Sequence, residues 1–495
     1  MEILFFLSSG LFLGWSLGAN DAANVFGTAV GTKMIHFRVA AITCSVFVIL
    51  GATISGAGAA HTLGSLGSVN ALAGSFMVAF SAALTVYWMT KLKLPVSTSQ
   101  AVVGAIIGWN IYSASMTNTN SLIKIVSTWI LCPVIAALIA AVLFIGLRSM
   151  MSRMKIHILR MDAWTRFGLL IVGAFGSYSL GANNIANVMG VFIPVNPFSD
   201  IDVYGLFTLT GIQQLFFLGG VSIAVGVFTY SHKVMKTVGD NLMRLSPLSA
   251  LVVVLAQSIV LFLFASEGLE HFLATNGLPT IPLVPVSSSQ AVVGAIIGVG
   301  LVKNYKGLRF PVLGEIATGW LTTPIIAGVI TFVALFFLDN VFNQEVYRKT
   351  DYRITSEVIE YLMEEEIADP ELVNYLGKTF DNPITLQDEL EKKTSLSRGK
   401  VLKVIDVSEL ALYSIDPGII ATNIDREWFT YEQIESLNRL KNRVFLYEWQ
   451  FHDALEKESN VWQLKAENPI NKKFNKDLKQ KLDYLDNIFR TKKDE

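Results

Sequence analysis

Pro95-Val-Ser-Thr-Ser-Gln-Ala-Val-Val-Gly-Ala-Ile-Ile-Gly108 comes back at Pro285-Val-Ser-Ser-Ser-Gln-Ala-Val-Val-Gly-Ala-Ile-Ile-Gly298, with Thr98 against Ser288 the single difference. A second string, Gly18-Ala-Asn-Asp-Ala-Ala-Asn24, has its counterpart at Gly181-Ala-Asn-Asn-Ile-Ala-Asn187, in the same order along the chain. The chain is therefore a duplicated unit. Each copy sets hydroxyl and amide side chains in apolar surroundings, where polar groups are costly and ordinarily mark the path of a substrate or ion.

The sequence around these strings is strongly apolar. Of 495 residues, 52% are hydrophobic and 16% charged, and the mean hydropathy is +0.48. Such values suit an integral membrane protein better than a soluble enzyme. The average hides two parts. Residues 1–338 are apolar and carry about +7, whereas 339–495 are rich in Lys, Glu and Asp and carry about −8. Neither part reads as a nucleic-acid binder. Cys44 and Cys132 lie in apolar runs and read as small core residues rather than as a disulfide or metal pair. The six histidines are scattered without metal-ligand spacing. Met1-Glu2 leads straight into an apolar run without the basic flank of a cleaved signal, so that run is read as a retained first span.

Stretches long enough to span a bilayer, about 20 residues, run near Leu4–Gly31, Val39–Ala60, Ala71–Thr90, Val96–Ile111 and Leu122–Leu147. A second set runs near Phe167–Phe192, Leu206–Tyr230, Leu248–Ala265, Val284–Val302 and Val312–Leu338. The runs from Val96 and Val284 are short and open on Pro, Ser and Thr, which suits re-entrant half-helices. Basic residues fall on alternate connections: Lys33 and Arg38; Lys91 and Lys93; Arg148, Arg153, Lys155, Arg160 and Arg166; Lys233, Lys236 and Arg244; Lys303, Lys306 and Arg309. Intervening connections lack them or hold Asp200 with Asp202, or Glu267 with Glu270. By the positive-inside rule the basic loops face the cytoplasm and the N-terminus faces out. About five segments per half would turn the second copy upside down, the inverted-repeat plan of secondary transporters.

The expected fold is thus an all-α integral membrane protein. Two inverted repeats of about five segments, with broken or re-entrant helices, precede a small, mainly helical soluble domain. The expected divisions are 1–148, first repeat; 149–166, a basic cytoplasmic linker, with Met150–Asp162 an amphipathic interfacial segment; 167–338, second repeat; and 339–495, the soluble domain. Counting spans puts that tail outside, and one re-entrant segment among the counted spans would put it inside. Within it, Ser356–Ile367 and Tyr431–Lys457 read as amphipathic helices, and Gly399–Leu410 as including a strand.

Proline before small hydroxyl residues suits the first turn of a helix. A helix opening inside the protein at Ser97 offers unpaired backbone N–H groups and the positive end of the dipole, a natural oxyanion site. Ser97, Thr98, Ser99 and Gln100 add side-chain donors, as do Ser287, Ser288, Ser289 and Gln290. Asp21 sits midway along its run, near the bilayer centre, and is the only acidic residue there. A buried carboxylate needs a cation, a proton or a donor. Asn20, Asn24 and carbonyls freed at a Gly-rich break would complete an oxygen cage for Na⁺, with Asn183, Asn184 and Asn187 as the second copy's counterparts. Asp21 would repel an unprotonated oxyanion. Phosphate near neutral pH still carries a proton to donate, and sulfate does not, which favours phosphate.

The paired strings resemble those of the PiT family of inorganic phosphate transporters, over both halves of 1–338. The resemblance implies an inverted-repeat transporter, usually a homodimer, moving phosphate with Na⁺ or H⁺ across a cell membrane, the inner one in a Gram-negative source. The family's sites map onto Asp21, Asn24, Asn184 and Asn187, with Ser97–Gln100 and Ser287–Gln290. Two departures matter. Asn184 stands where members commonly have Asp, which bears on the number of coupling ions. Gln100 and Gln290 stand where many have His, which removes a titratable group and favours Na⁺ over H⁺. Some relatives move sulfate. No other cofactor is expected. A passive anion channel and a phosphate sensor signalling through the tail are the competing readings. An enzyme is disfavoured, because no nucleophile–base pair or metal cluster is apparent.

Overall fold

The computed structural model describes residues 2–64, 66–67, 69–91, 96–153, 157–196, 198, 201–203, 207–232, 235, 245–303, 310–367, 369–425, 428–466 and 471–491. Lys93, Pro95, Lys155, Asp200, Lys233, Lys236, Arg244, Lys306 and Arg309 lie outside the described residues, as does the side chain of Asp202.

Hydrophobic length dictates the first part. Its helices are α1 (Glu2–Gly31), α2 (Phe37–Ser55), α3 (Ala57–Gly64), α4 (Leu72–Lys91), α5 (Thr98–Ser113), α6 (Thr119–Arg153), α7 (Ile158–Met189), α8 (Gly211–Thr229), α9 (Pro247–Ala265), α10 (Glu267–Thr275), α11 (Ser288–Lys303) and α12 (Phe310–Asn340). Among the described residues, α1, α2, α4, α6, α7, α8, α9 and α12 are long and apolar enough to cross a bilayer, so the chain is a multi-pass membrane protein. α5 and α11 have 16 residues each, about 24 Å of helix, and both begin among buried residues. Exposed Ile130, Val134 and Leu138 on α6, and Leu321, Ile325 and Val329 on α12, form apolar faces suited to hydrocarbon.

The principal packing contacts recur with the halves exchanged, and α2 lies on its own counterpart α8. α1 lies on α8 as α7 lies on α2, and α5 lies on α12 as α11 lies on α6. Glycines set these approaches. A Cβ on Gly18 would stand 2.0 Å from the Ile223 carbonyl oxygen, and one on Gly181 2.1 Å from that of Val48. On the short helices, Gly104 meets the Pro324 carbonyl and Gly294 the Pro133 carbonyl, at 2.1 and 2.2 Å from the same virtual atom. Pro324 and Pro133 are interior prolines of α12 and α6. Helices can come this close only where no side chain intervenes.

This corrects one expectation. α1 and α7 do not break at their Gly-Ala-Asn strings but run through them. The glycine admits a neighbouring backbone instead of freeing carbonyls, so no oxygen cage from a broken turn exists there. Other boundaries shift too. The described residues of Met150–Asp162 belong mostly to the flanking helices, since α6 runs to Arg153 and α7 starts at Ile158. Part of the expected Leu206–Tyr230 span is a hairpin of β1 (Ile201–Val203) and β2 (Phe207–Leu209). There the helix begins only at Gly211, where Thr210 is the N-cap and closes a capping box with Gln213.

Residues 339–348 return to the membrane unit. Tyr112 Oη donates to Asp339 (2.7 Å), Trp109 Nε1 to the Val346 carbonyl (2.9 Å), and Arg348 N–H to Asn70 Oδ1 (2.9 Å). A second compact unit takes in Lys349–Glu495 with Ala114–Met116 and His271–Pro279. It holds α13 (Ser356–Glu364), α14 (Pro383–Lys393), α15 (Arg398–Val407), α16 (Pro417–Asn423), α17 (Tyr431–Arg439), α18 (Glu448–Glu458) and α19 (Lys472–Phe489). Two-residue strands pair as β3 (Tyr352–Arg353) with β4 (Thr379–Phe380) and β5 (Tyr413–Ser414) with β6 (Val444–Phe445). Gly399–Leu410 holds α15 rather than a strand, because buried Val401, Val404, Ile405 and Ser408 recur at helical spacing and override β-branched propensity. Tyr431–Lys457 is two helices, parted where Asn442 takes a positive φ of 62° and the chain enters β6.

Candidate functional site

Ser97 and Ser287 start the two short helices. Each hydroxyl accepts the N–H of the residue three positions on, Gln100 at 3.3 Å and Gln290 at 3.2 Å. The serine hydroxyls at these positions therefore cap their helices and keep their own O–H to donate. The preceding N–H groups, of Thr98 and Ser99 and of Ser288 and Ser289, have no intrahelical acceptor by geometry. All eight side chains of the two strings are buried.

The two helix starts brace each other. Ser99 Oγ donates to the Val286 carbonyl (3.3 Å), and Ser289 Oγ donates to the Val96 carbonyl (2.6 Å). α7 locks onto the same place. Asn183 Nδ2 donates to the Val286 carbonyl (2.7 Å), while the Val286 N–H donates to Asn183 Oδ1 (2.9 Å). Asn187 Nδ2 donates to Ser99 Oγ (2.8 Å) and to Asn184 Oδ1 (3.1 Å).

Asp21, 2% exposed, joins from α1. Its Oδ2 accepts from Ser288 Oγ at 2.5 Å, and its Oδ1 from Asn20 Nδ2 at 3.3 Å. Asn24 lies half-buried one turn on. Residues from α1, α5, α7 and α11 thus form one buried polar network, and Asp21 supplies its only carboxylate. Lys91 is elsewhere: exposed, with Nζ 4.8 Å from the centre of the Tyr87 ring. Glu315 is exposed in the second turn of α12, away from this network.

Several buried atoms of this network have no partner among the described residues. They are Thr98 Oγ1, Gln100 Oε1, Gln290 Oε1, Asn184 Nδ2 and Asn187 Oδ1. Each costs about 1–3 kcal/mol if left so, and a ligand would satisfy them. Thr98 and Asn184 can donate to an oxyanion. The three amide oxygens can accept from a cation or from a proton on the anion. Gln257 of α9 was passed over in the sequence. It is 1% exposed with both amide atoms unpartnered. The signal was there, one amide in a span of otherwise apolar and small residues. The Val96 and Val286 carbonyls, being backbone, left no such trace.

The profile of the phosphate transporter family matches residues 17–331, with a second match over 271–373. A protein of Methanocaldococcus jannaschii named "Putative phosphate permease" is 30% identical over 323 residues, covering 65% of this chain and 93% of its own. The sulfate permease CysP of Bacillus subtilis is 28% identical over 344 residues, covering 68% and 88%. A solved sodium-dependent phosphate transporter has the same fold. Its TM-score is 0.54 at 22% identity, covering 68% of this chain and all of its own.

Proposed function

The chain belongs to the phosphate transporter family, and from that premise we propose that it takes up inorganic phosphate together with Na⁺ across the cell membrane. The anion sits between the starts of α5 and α11, held by the uncapped N–H groups and by Thr98, Gln100, Ser288 and Gln290. The cation sits beside Asp21, with Asn20, Asn24 and the asparagines of α7 as neutral oxygen donors. The observation that carries this reading is the bond from Ser288 to Asp21, because it ties the lone carboxylate to the anion strand of the other half. Cation and anion then occupy one network, and each offsets the other's charge in a medium of low dielectric. The exchanged packing of the two halves supports an inverted repeat, whose relative motion about this network would give alternating access.

The likeness to a sulfate permease favours a second reading, transport of another oxyanion. The unpartnered acceptors Gln100 Oε1, Gln290 Oε1 and Asn187 Oδ1 weigh toward phosphate, because a protonated phosphate can donate to them and sulfate cannot. Uptake of labelled phosphate into proteoliposomes, with Na⁺ and with choline in its place, is the test. Na⁺-dependent uptake competed by arsenate and not by sulfate is expected. Equal uptake in choline removes the coupling, and sulfate transport without phosphate transport removes the substrate.

A further inference from the structure

The tail unit carries a second cluster of chemistry. Glu448 and His452 are four residues apart on α18 and so share a face. Asp486 comes from α19, whose Leu478, Leu485 and Phe489 pack in one core with Phe451 and Leu455 of α18. His452 Nε2 lies 3.0 Å from Asp486 Oδ1 and 2.9 Å from Oδ2. One ligand atom from each of Glu448, His452 and Asp486 lies within 4.8 Å of the others.

We propose that Glu448, His452 and Asp486 bind one divalent transition-metal ion of the zinc class, which fastens α19 to α18. Four-coordinate zinc with bonds of about 2.0–2.2 Å holds its ligand atoms roughly 3.4 Å apart. Small side-chain adjustments bring the three atoms to that spacing.

Charge argues the same way. Glu409 also acts on Glu448, and the neighbouring guanidinium of Arg490 is paired with Glu409 at 2.9 Å. Once the Nε2 proton has left, as ligation requires, three carboxylates and one guanidinium leave two negative charges, which a dication would balance. Asp406 and Asp483 add more of the same sign. An imidazole nitrogen between two carboxylates suits zinc better than magnesium or calcium. On binding, the imidazolium loses its Nε2 proton, offers that nitrogen's lone pair to the metal and keeps its proton on Nδ1. The proton shared with Asp486 leaves to solvent. The exposed edge of Glu448 leaves a coordination position to water.

The histidines showed no metal spacing in the sequence because the third ligand is 34 residues from His452 and belongs to another helix. The site stands apart from the transport reading and can fail or hold without it.

The test is calorimetric titration of the full-length, tag-free protein in detergent with zinc chloride in phosphate-free buffer, alongside hydrogen exchange of α19. The expected result is one zinc equivalent per chain, weakened at least about 10-fold in both Glu448→Gln and His452→Gln. Zinc is also expected to raise α19 protection in the wild type only, and magnesium to produce no heat. Glu448→Gln guards against misfolding, since its metal-free exchange should match the wild type. Absence of zinc binding in the wild type, binding that survives in either variant, or magnesium binding as tight as zinc would each overturn the proposal.

Discussion

The two halves share their packing and differ at their polar centre. Gly18 and Gly181 press on neighbouring carbonyls alike, Ser97 and Ser287 cap alike, and Ser99 and Ser289 brace the opposite strand alike. At the two polar positions of the three where the strings diverge, the pairing diverges too. Asp21 of the first copy is bonded to Ser288 of the second, whereas Asn184 Nδ2 and Thr98 Oγ1, their counterparts, are both unpartnered. The outer asparagines show the opposite bias. Asn183 and Asn187 are tied to Val286 and Ser99, while Asn20 turns to its own neighbour Asp21. Duplication has kept what close helix contact demands and let the charged function fall to one side. One half is charged and bonded through Asp21, and the other is neutral and latched through its asparagines.

Asp21→Asn breaks that comparison most directly, by making both copies neutral. Breaking a buried charge pair costs about 3–5 kcal/mol, so Na⁺-dependent phosphate uptake should fall on the order of 100-fold or more. Yield and melting temperature in detergent should stay near wild type, because the carboxamide still accepts from Ser288. Wild-type uptake in this variant would show that the halves do not divide the chemistry as described.

Gly104→Ala and Gly294→Ala probe the shared half of the comparison. Each new methyl meets a proline carbonyl oxygen of a long helix, and backbone on both sides leaves no flexible atom to yield. Overpacking of this kind costs about 1–3 kcal/mol. Both variants should lose several degrees of melting temperature, by similar amounts. A loss confined to one variant would mean that the packing is not equivalent in the two copies.

Most of this arrangement was legible in the sequence because it is written in side-chain type and period. The repeat, the short helices beginning at Ser97 and Ser287, and the buried carboxylate all follow from polar residues in apolar runs. What was not legible depends on neighbours distant in the chain. Whether Gly18 breaks a helix or admits another backbone is decided by Ile223, some two hundred residues away. The hydroxyls of Ser97 and Ser287 read as ligands, and their further part as helix caps depends on the N–H of Gln100 and Gln290. α15 was misread because valine-rich strings fit either period, and only its buried face decides.

Asn184→Asp sharpens the comparison by restoring a carboxylate to the neutral half. The new carboxylate would lie beside the unpaired Thr98 hydroxyl if the second copy follows the first. We expect the Na⁺ half-saturation for uptake to shift about 10-fold, the equivalent of ~1.4 kcal/mol, with a changed Hill slope. An unchanged slope and half-saturation would mean that the asparagine half takes no part in binding the cation.

The smallest effect expected is also the most symmetric. Ser97→Ala and Ser287→Ala each remove a helix cap and leave one buried N–H, of Gln100 or Gln290, without its acceptor. Loss of such a cap costs about 1 kcal/mol, which should appear as equal, small decreases in melting temperature. The two variants should also leave the ratio of uptake in Na⁺ to uptake in choline unchanged, because the proposed cation site is built from Asp21 and the asparagines and not from these caps. Unequal decreases would place the asymmetry in the helix starts as well as in the Asp21 and Asn184 pair. A changed Na⁺ ratio in either variant would show that the cap hydroxyl turns from its helix to the ligand during transport.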